Sequence, residues 1–200
     1  MLKVALIVGS TRQNRFADTP VQWLREGAAA RSDLQLSVLD LREHRLPFYD
    51  EPMPQAYTGG VYTQPEAEAW RKQIGAFDAF IATVAEYNHG PTAVLKNAFD
   101  SAQLEWQRKP IAFVGYGGVG AARAIEQLRG IAIELQMAPI RHEVNIAMEP
   151  FLGILRDGRA LNDYEYLVQS RNLMFDQLVW WGNALKLARH KTNAASGLAA

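Results

Sequence analysis

The chain has 200 residues, balances 21 Lys and Arg against 21 Asp and Glu, and contains no cysteine. One domain is the expectation at this length, and zero net charge argues against a protein built to hold nucleic acid or an anionic membrane surface. Without cysteine there are no disulfides, thiolate metal sites or thiol nucleophile, and no apolar run approaches the ~18 residues of a membrane span. A cytoplasmic protein with no membrane insertion and no nucleic-acid partner is expected.

Lys3–Val8 is a run of Val, Ile and Leu stopped by Gly9, as a strand buried on both faces reads. It lacks the cleavage site of a signal peptide. Thr19-Pro20-Val21-Gln22 predicts a capping box opening a helix to about Ala30, and Leu34–Leu39 a second strand. Leu41 to Thr63, with Pro47, Pro52, Pro54 and Gly59-Gly60, is an irregular excursion too long for a plain connector. Thr63-Gln64-Pro65-Glu66 predicts a second capping box, with its helix reaching about Ala76. Ala79–Val84 reads as the third strand, Pro91 as the start of a helix, and Ile111–Gly115 as the fourth strand. Leu128, Ile131, Ala132 and Leu135 then recur at helical spacing. Arg141–Ile146 is a short fifth strand, and Asn162 with Glu165 caps a long helix to about His190. The domain is expected to span 1–190, with 191–200 a flexible tail.

Strand and helix alternating in this way predict a doubly wound α/β fold, a flavodoxin-like five-stranded parallel sheet of order 2-1-3-4-5 with a long C-terminal helix. The chain reverses direction between strands one and three, so a crevice opens beyond their carboxyl ends. Three unusual loops fall there. Gly9-Ser10-Thr11-Arg12-Gln13-Asn14-Arg15 joins a buried strand to a helix N-terminus, which makes an anion site of backbone N–H groups. Ser10 and Thr11 add hydroxyls, while Arg12 and Arg15 add charge suited to a phosphate. The spacing matches neither Gly-x-Gly-x-x-Gly nor the Gly-Lys-Ser/Thr phosphate loop. Ala85-Glu86-Tyr87-Asn88-His89-Gly90-Pro91 offers an aromatic face, an amide and main chain for a planar heterocycle. Glu86 either faces the ligand or braces the loop, and His89 has no carboxylate and nucleophile arranged around it. Gly115-Tyr116-Gly117-Gly118-Val119-Gly120 lets backbone approach a flat ligand closely.

These residues resemble the NADPH-dependent FMN reductase family of flavodoxin-like proteins. Gly9-Ser10-Thr11-Arg12, Glu86-Tyr87-Asn88 with Leu95-Lys96-Asn97-Ala98, and Gly117-Gly118 through Arg123 carry the likeness, as does Leu46-Pro47-Phe48-Tyr49-Asp50. The likeness covers roughly Leu2 to Ile146. It implies bound FMN, with Ser10, Thr11, Arg12 and Arg15 around its phosphate. It also implies Glu86, Tyr87 and Asn88 against the isoalloxazine, and Gly117 and Gly118 near its pyrimidine edge. The chain departs from the family pattern at Ala85, where proline is usual, and at Phe16-Ala17-Asp18, where a small polar residue is usual.

The resemblance implies a ping-pong oxidoreductase. NADPH or NADH delivers a hydride to the flavin, and a small-molecule electron acceptor then removes the electrons. No side chain is required as nucleophile or acid, so no catalytic residue and no metal are expected. Arg123 is one candidate for a coenzyme 2′-phosphate. The alternatives are an electron carrier of the flavodoxin type, which a pI of about 6.9 disfavours, and a scaffold without flavin. A homodimer or homotetramer is expected. The final helix, with Phe175, Leu178, Val179, Trp180, Trp181 and Leu185, has apolar residues on more than one stripe. The excursion, with Phe48, Tyr49, Tyr57 and Tyr62, covers the flavin, reaches a neighbouring subunit, or is an aromatic-anchored surface loop.

Overall fold

Successive residues of a strand point to opposite faces of a sheet, and the first strand sorts its side chains accordingly. Leu2, Val4, Leu6 and Val8 enter one apolar cluster, Ala5 and Ile7 the other. The computed structural model describes residues 1–195; residues 196–200, the end of the expected tail, lie outside the described residues. In chain order the elements are β1 (Leu2–Val8), α1 (Asp18–Ala29), β2 (Leu34–Asp40), α2 (Gln55–Thr58), α3 (Pro65–Gly75) and β3 (Ala79–Tyr87). Then come β4 (Gly90–Pro91), α4 (Ala93–Asp100), β5 (Pro110–Tyr116) and α5 (Ala122–Glu134). The chain ends with β6 (Ala138–Pro139), β7 (Val144–Ile146), α6 (Met148–Asp157) and α7 (Glu165–Ala195). Short 3₁₀ turns lie at Leu104–Trp106 and Leu161–Asp163.

The strands run β2-β1-β3-β5-β6, with β7 also on β5, and every pairing along this sheet is parallel. This is the expected 2-1-3-4-5 path with its last strand broken. β6 pairs with Pro110 and Ile111, β7 with Val114 to Tyr116. Arg129 of α5 fills the break, donating to the Ile140 carbonyl at 2.8 Å and pairing with Glu143. One face of the sheet packs on α1 and α7 through Trp23, Leu24, Met174 and Phe175. The other packs on α3, α4 and α5 through Trp70, Phe99, Ile125 and Leu128. Among the described residues no helix is long and apolar enough to cross a membrane.

The helix starts differ from expectation mainly in how they are capped. α1 begins one residue before Thr19, with Ala17 at the cap and no side-chain bond, so Pro20 spends its missing N–H in the first turn. α3 starts at Pro65 as Pro at the first helical position should. Its entry is held by Glu51, which accepts from the Thr63 N–H at 3.0 Å and the Gln64 N–H at 3.4 Å. Asn162 does not cap α7, because its oxygen accepts the Trp23 indole N–H at 2.7 Å. Thr92, not Pro91, caps α4, accepting from the Leu95 N–H at 3.2 Å. α7 continues beyond His190 to Ala195.

Candidate functional site

The three loops meet at the carboxyl edge of the sheet. The first is pinned where it leaves β1. The Gly9 N–H donates to the Thr83 hydroxyl at 3.1 Å, and the Thr92 hydroxyl donates to the Gly9 carbonyl. Ser10 is buried, its hydroxyl 3.4 Å from that of Tyr87. Arg15 turns inward. Its guanidinium donates to the Ser10 carbonyl at 2.7 Å, to Asp40 at 2.7 Å and to Asp18 at 2.6 Å. The bond to Asp40 raises the Arg15 pKa and outweighs burial. Burial would lift the Asp40 carboxyl, but its bonds to Arg15 and the Arg42 N–H hold it below the usual range. Arg15 therefore braces the loop and neutralises Asp18, which stands in the first turn of α1. Arg12 is exposed and has no carboxylate partner among the described residues; its guanidinium lies 6.0 Å from the centre of the Tyr87 ring.

The second loop is tighter than expected. β3 runs on through Glu86 and Tyr87, then folds back antiparallel so that Tyr87 pairs with Gly90 and Glu86 with Pro91. Asn88 and His89 form the two-residue turn, with φ of 50° and 71°. Positive φ at both central residues is what a hairpin of this length demands for its twist to match the strands. Glu86 faces inward as a brace. Its carboxylate accepts from Arg123 Nε at 2.6 Å and from the Arg123 and Ala124 N–H groups at 3.2 and 3.4 Å, so it caps α5. Burial opposes ionisation there, and Arg123 with those N–H bonds still holds the carboxyl below its ordinary value. Arg123 also meets His89 Nε2 at 3.0 Å.

In the third loop the glycines divide into two jobs. A Cβ on Gly115 would stand 2.1 Å from the Gly120 carbonyl oxygen, so this glycine permits the turn to close on itself. Gly117, at φ of 121°, has nothing within 4 Å of where a Cβ would stand, and Gly118 is exposed. Gly117 and Gly118 thus offer main chain to an open side.

Between the loops lies a cleft of about 190 Å³ whose lining includes Ser10, Arg12, Ala85, Tyr87, Tyr116 and Phe151. Phe16 sits between Tyr116 and Phe151, with ring centres at 5.2 and 4.6 Å, and forms an aromatic wall. The Tyr116 hydroxyl is buried next to Ser10 with no well-formed hydrogen bond among the described residues, and burial, opposed by Ser10, pushes its pKa up to about 12. A buried orphan hydroxyl costs about 1–3 kcal/mol; the Gln55 amide nitrogen and the Tyr164 hydroxyl, neither of which lines this cleft, are orphaned likewise. Tyr116 was not singled out in the sequence although it stands directly before the glycines. Phe151 comes from α6, outside the matching motifs, and carried no signal. Of the expected site residues, Ser10, Arg12, Arg15 and Tyr87 line this cleft. Thr11 faces a second cavity on the other side of the loop.

The motif Leu46–Asp50 and the asparagine of Leu95–Ala98 prove to be one unit. Asn97 accepts from the Tyr49 N–H at 3.0 Å and donates to the Pro47 carbonyl at 2.8 Å. Farther along the excursion, Tyr62 is buried and bonds to Glu105 at 3.1 Å, while Phe48 and Tyr57 are exposed. None of the four aromatics expected there lines the cleft.

The model of the NADPH-dependent FMN reductase family matches residues 2–150. An NAD(P)H-dependent FMN reductase of Schizosaccharomyces pombe is 34% identical over 139 residues, covering 68% of this chain and 70% of its own. One from Pseudomonas aeruginosa is 32% identical over 183 residues, covering 88% and 91%. Among solved structures, a flavoenzyme NAD(P)H:(acceptor) oxidoreductase from Paracoccus denitrificans superimposes with a TM-score of 0.71 at 23% identity, covering 92% of this chain and 98% of its own, a likeness of fold. The loops, their order along the sheet and these matches together make the chain a member of the NADPH-dependent FMN reductase family of oxidoreductases.

Proposed function

We propose that the chain binds FMN at the carboxyl edge and works as an NAD(P)H-dependent reductase of small acceptors. The cleft that brings together Ser10, Tyr87, the buried Tyr116 hydroxyl and an Arg12 with no ion pair among the described residues carries this reading. Bound there, FMN would take a hydride from the reduced nicotinamide and pass electrons to the acceptor in a ping-pong cycle. Ser10 and Arg12 would hold the phosphate at the N-terminal end of α1, while the Thr11 side of the loop borders the second cavity. Arg15 acts through the loop, fixing the Ser10 carbonyl rather than gripping the ligand. Glu86, Tyr87 and Asn88 would present main chain and a ring face, and Gly117 and Gly118 would admit the flat ring edge-on. Glu86 keeps its side chain on Arg123, so the hairpin is held at a fixed height above the cleft.

The same reading has a homo-oligomer in the cytoplasm. Tyr166, Leu173, Trp180 and Leu187 are exposed at seven-residue intervals along α7, a stripe that two antiparallel copies would cover mutually. A strict monomer in sedimentation would remove that part alone.

The test of the main reading is a visible spectrum of the purified protein with FMN, followed by anaerobic NADPH. A retained flavin band that bleaches on mixing is the expected result. A retained band that neither NADPH nor NADH bleaches would favour an electron carrier. Failure to retain flavin in excess FMN would overturn the reading.

A further inference from the structure

The second and third loops are joined by a pair of opposite charges. α5 has Ala121 at its cap, at φ of 59°, and makes no side-chain capping bond of its own. A carboxylate from the second loop takes that place. The Glu86 side chain, 7% exposed, accepts from the Arg123 N–H at 3.2 Å, the Ala124 N–H at 3.4 Å and Arg123 Nε at 2.6 Å. Burial works against its charge, and Arg123 with the two N–H groups outweighs burial, so Glu86 is ionised at neutral pH. The Arg123 side chain, 46% exposed, carries the balancing positive charge. Gln127, one turn farther along α5, donates to the His89 carbonyl at 2.8 Å and fastens the hairpin a second time.

This pair adjoins both stretches of main chain that the reading above sets against the flavin ring. Glu86 stands directly before Tyr87 and Asn88, and Arg123 follows Gly117 and Gly118 at the head of α5. At neutral pH a flavin ring that has taken up two electrons and one proton carries a negative charge that the oxidised ring lacks, so a fixed charge nearby acts on the difference between the two forms. While Glu86 and Arg123 are both ionised their fields largely cancel. Either charge left alone would not be cancelled.

We propose that Glu86 and Arg123 are a compensated charge pair that sets the reduction potential of the bound flavin, with Glu86 holding it down by cancelling Arg123. The inference rests on the flavin reading above and deepens it. Without the Glu86 charge, Arg123 favours the reduced ring; without the Arg123 charge, Glu86 disfavours it. A lower potential makes the reduced ring a stronger donor to a small acceptor. Both residues act through their charge and through the loops they join, as positioning residues, and neither exchanges a proton or an electron with substrate.

Glu86→Gln and Arg123→Gln decide between charge and structure, because a charge effect has opposite signs in the two and a loosened loop has the same sign in both. The potential of the bound flavin is read by anaerobic titration against a reference dye, alongside the Kd for oxidised FMN. Glu86→Gln should tighten the binding of reduced relative to oxidised FMN by about tenfold, which is about 30 mV upward for a two-electron couple. Arg123→Gln should move the ratio by a similar factor downward. The double variant and Arg123→Lys leave no lone buried charge, and serve also where a single variant does not fold. Both should keep the ratio within about threefold of wild type. Shifts of one sign in the two single variants, or a larger shift in the double variant or Arg123→Lys, would overturn the proposal. Wild-type protein that retains FMN while these shifts fail to oppose sinks this inference alone; wild-type protein that retains no FMN sinks the flavin reading and this inference with it.

Discussion

The two ends of the sheet treat charge in opposite ways. At the amino end, Asp78 accepts from Lys186 at 2.8 Å, Arg189 at 3.4 Å and the Lys3 N–H at 3.1 Å. Lys109 beside them is buried and donates to the Ile74 and Gly75 carbonyls at 3.2 Å. These groups tie α7 and the end of α3 to the sheet. At the carboxyl end Arg12 makes no ion pair among the described residues, and the buried Tyr116 hydroxyl makes no well-formed hydrogen bond among them. The amino end sets its buried charges against one another, while the carboxyl end brings the buried Tyr116 hydroxyl and the exposed Arg12 side chain to one cleft. The contrast teaches where to look for a ligand in an α/β sheet when no ligand is present: at the edge whose polar accounting does not close.

The sharpest way to break the contrast is Gly115→Ala. The added methyl would meet the Gly120 backbone carbonyl and the Ala121 Cβ, and neither can swing aside. A cost of about 3 kcal/mol is expected, read as a lower denaturant midpoint, together with loss of flavin retention because Gly117 and Gly118 shift with the turn. Retention of FMN at wild-type affinity would mean that the third loop does not face the ligand.

Asp78→Asn addresses the other end and should separate stability from binding. It leaves Lys186 and Arg189 without a counter-charge, costing about 2 kcal/mol near neutral pH, less than a fully buried pair because Lys186 is partly exposed. Burial would raise the Asp78 pKa, but Lys186, the Lys3 N–H and Arg189 hold it below the ordinary carboxyl value. A folded pKa below the unfolded one gives stability that is present above the unfolded value and is lost as pH falls toward the folded one. The gap between wild type and variant should therefore close in acid, below about pH 4. Burial already pulls Lys109 down to about 8, and loss of Asp78 removes one of the charges opposing that. The Kd for FMN should not change; a parallel loss would mean that the two ends are coupled.

How much of this was legible in the sequence follows from the range of each interaction. Strand order and the meeting of three loops at one edge followed from the alternation of apolar strand runs with helical segments and from the switch point between strands one and three. Residues whose role depends on a distant partner were only partly legible. Arg15 lines the cleft as its position in the loop suggests, and Asp40, distant in sequence and adjacent across the β1–β2 pairing, also takes its guanidinium. Asn162 has the sequence of a helix cap, and its oxygen is taken by Trp23 from another helix. Tyr116 reads as a strand residue, and only the assembled cleft reveals that its buried hydroxyl makes no well-formed hydrogen bond among the described residues. The hairpin escaped notice because its turn is Asn-His, where a glycine in the second place is the usual signal.

The smallest effect concerns that turn, and its sign is opposite to the others. His89 holds φ of 71°, a left-handed conformation that costs a residue with a side chain about 1 kcal/mol. Glycine adopts it freely. His89→Gly gives up the 3.0 Å contact between Nε2 and Arg123, an exposed bond worth little beside the strain relieved, since Arg123 keeps Glu86. The Gln127 amide bonds to the residue 89 carbonyl at 2.8 Å, which the substitution preserves. Glycine also widens the choices open to the unfolded chain, which returns part of the gain. A net stabilisation of about 0.5 kcal/mol is expected, seen as a slightly raised thermal midpoint, with NADPH oxidation unchanged. If the midpoint rises but turnover collapses, the imidazole touches substrate or coenzyme, and the carboxyl end retains His89 at this strained position for chemistry rather than for its turn.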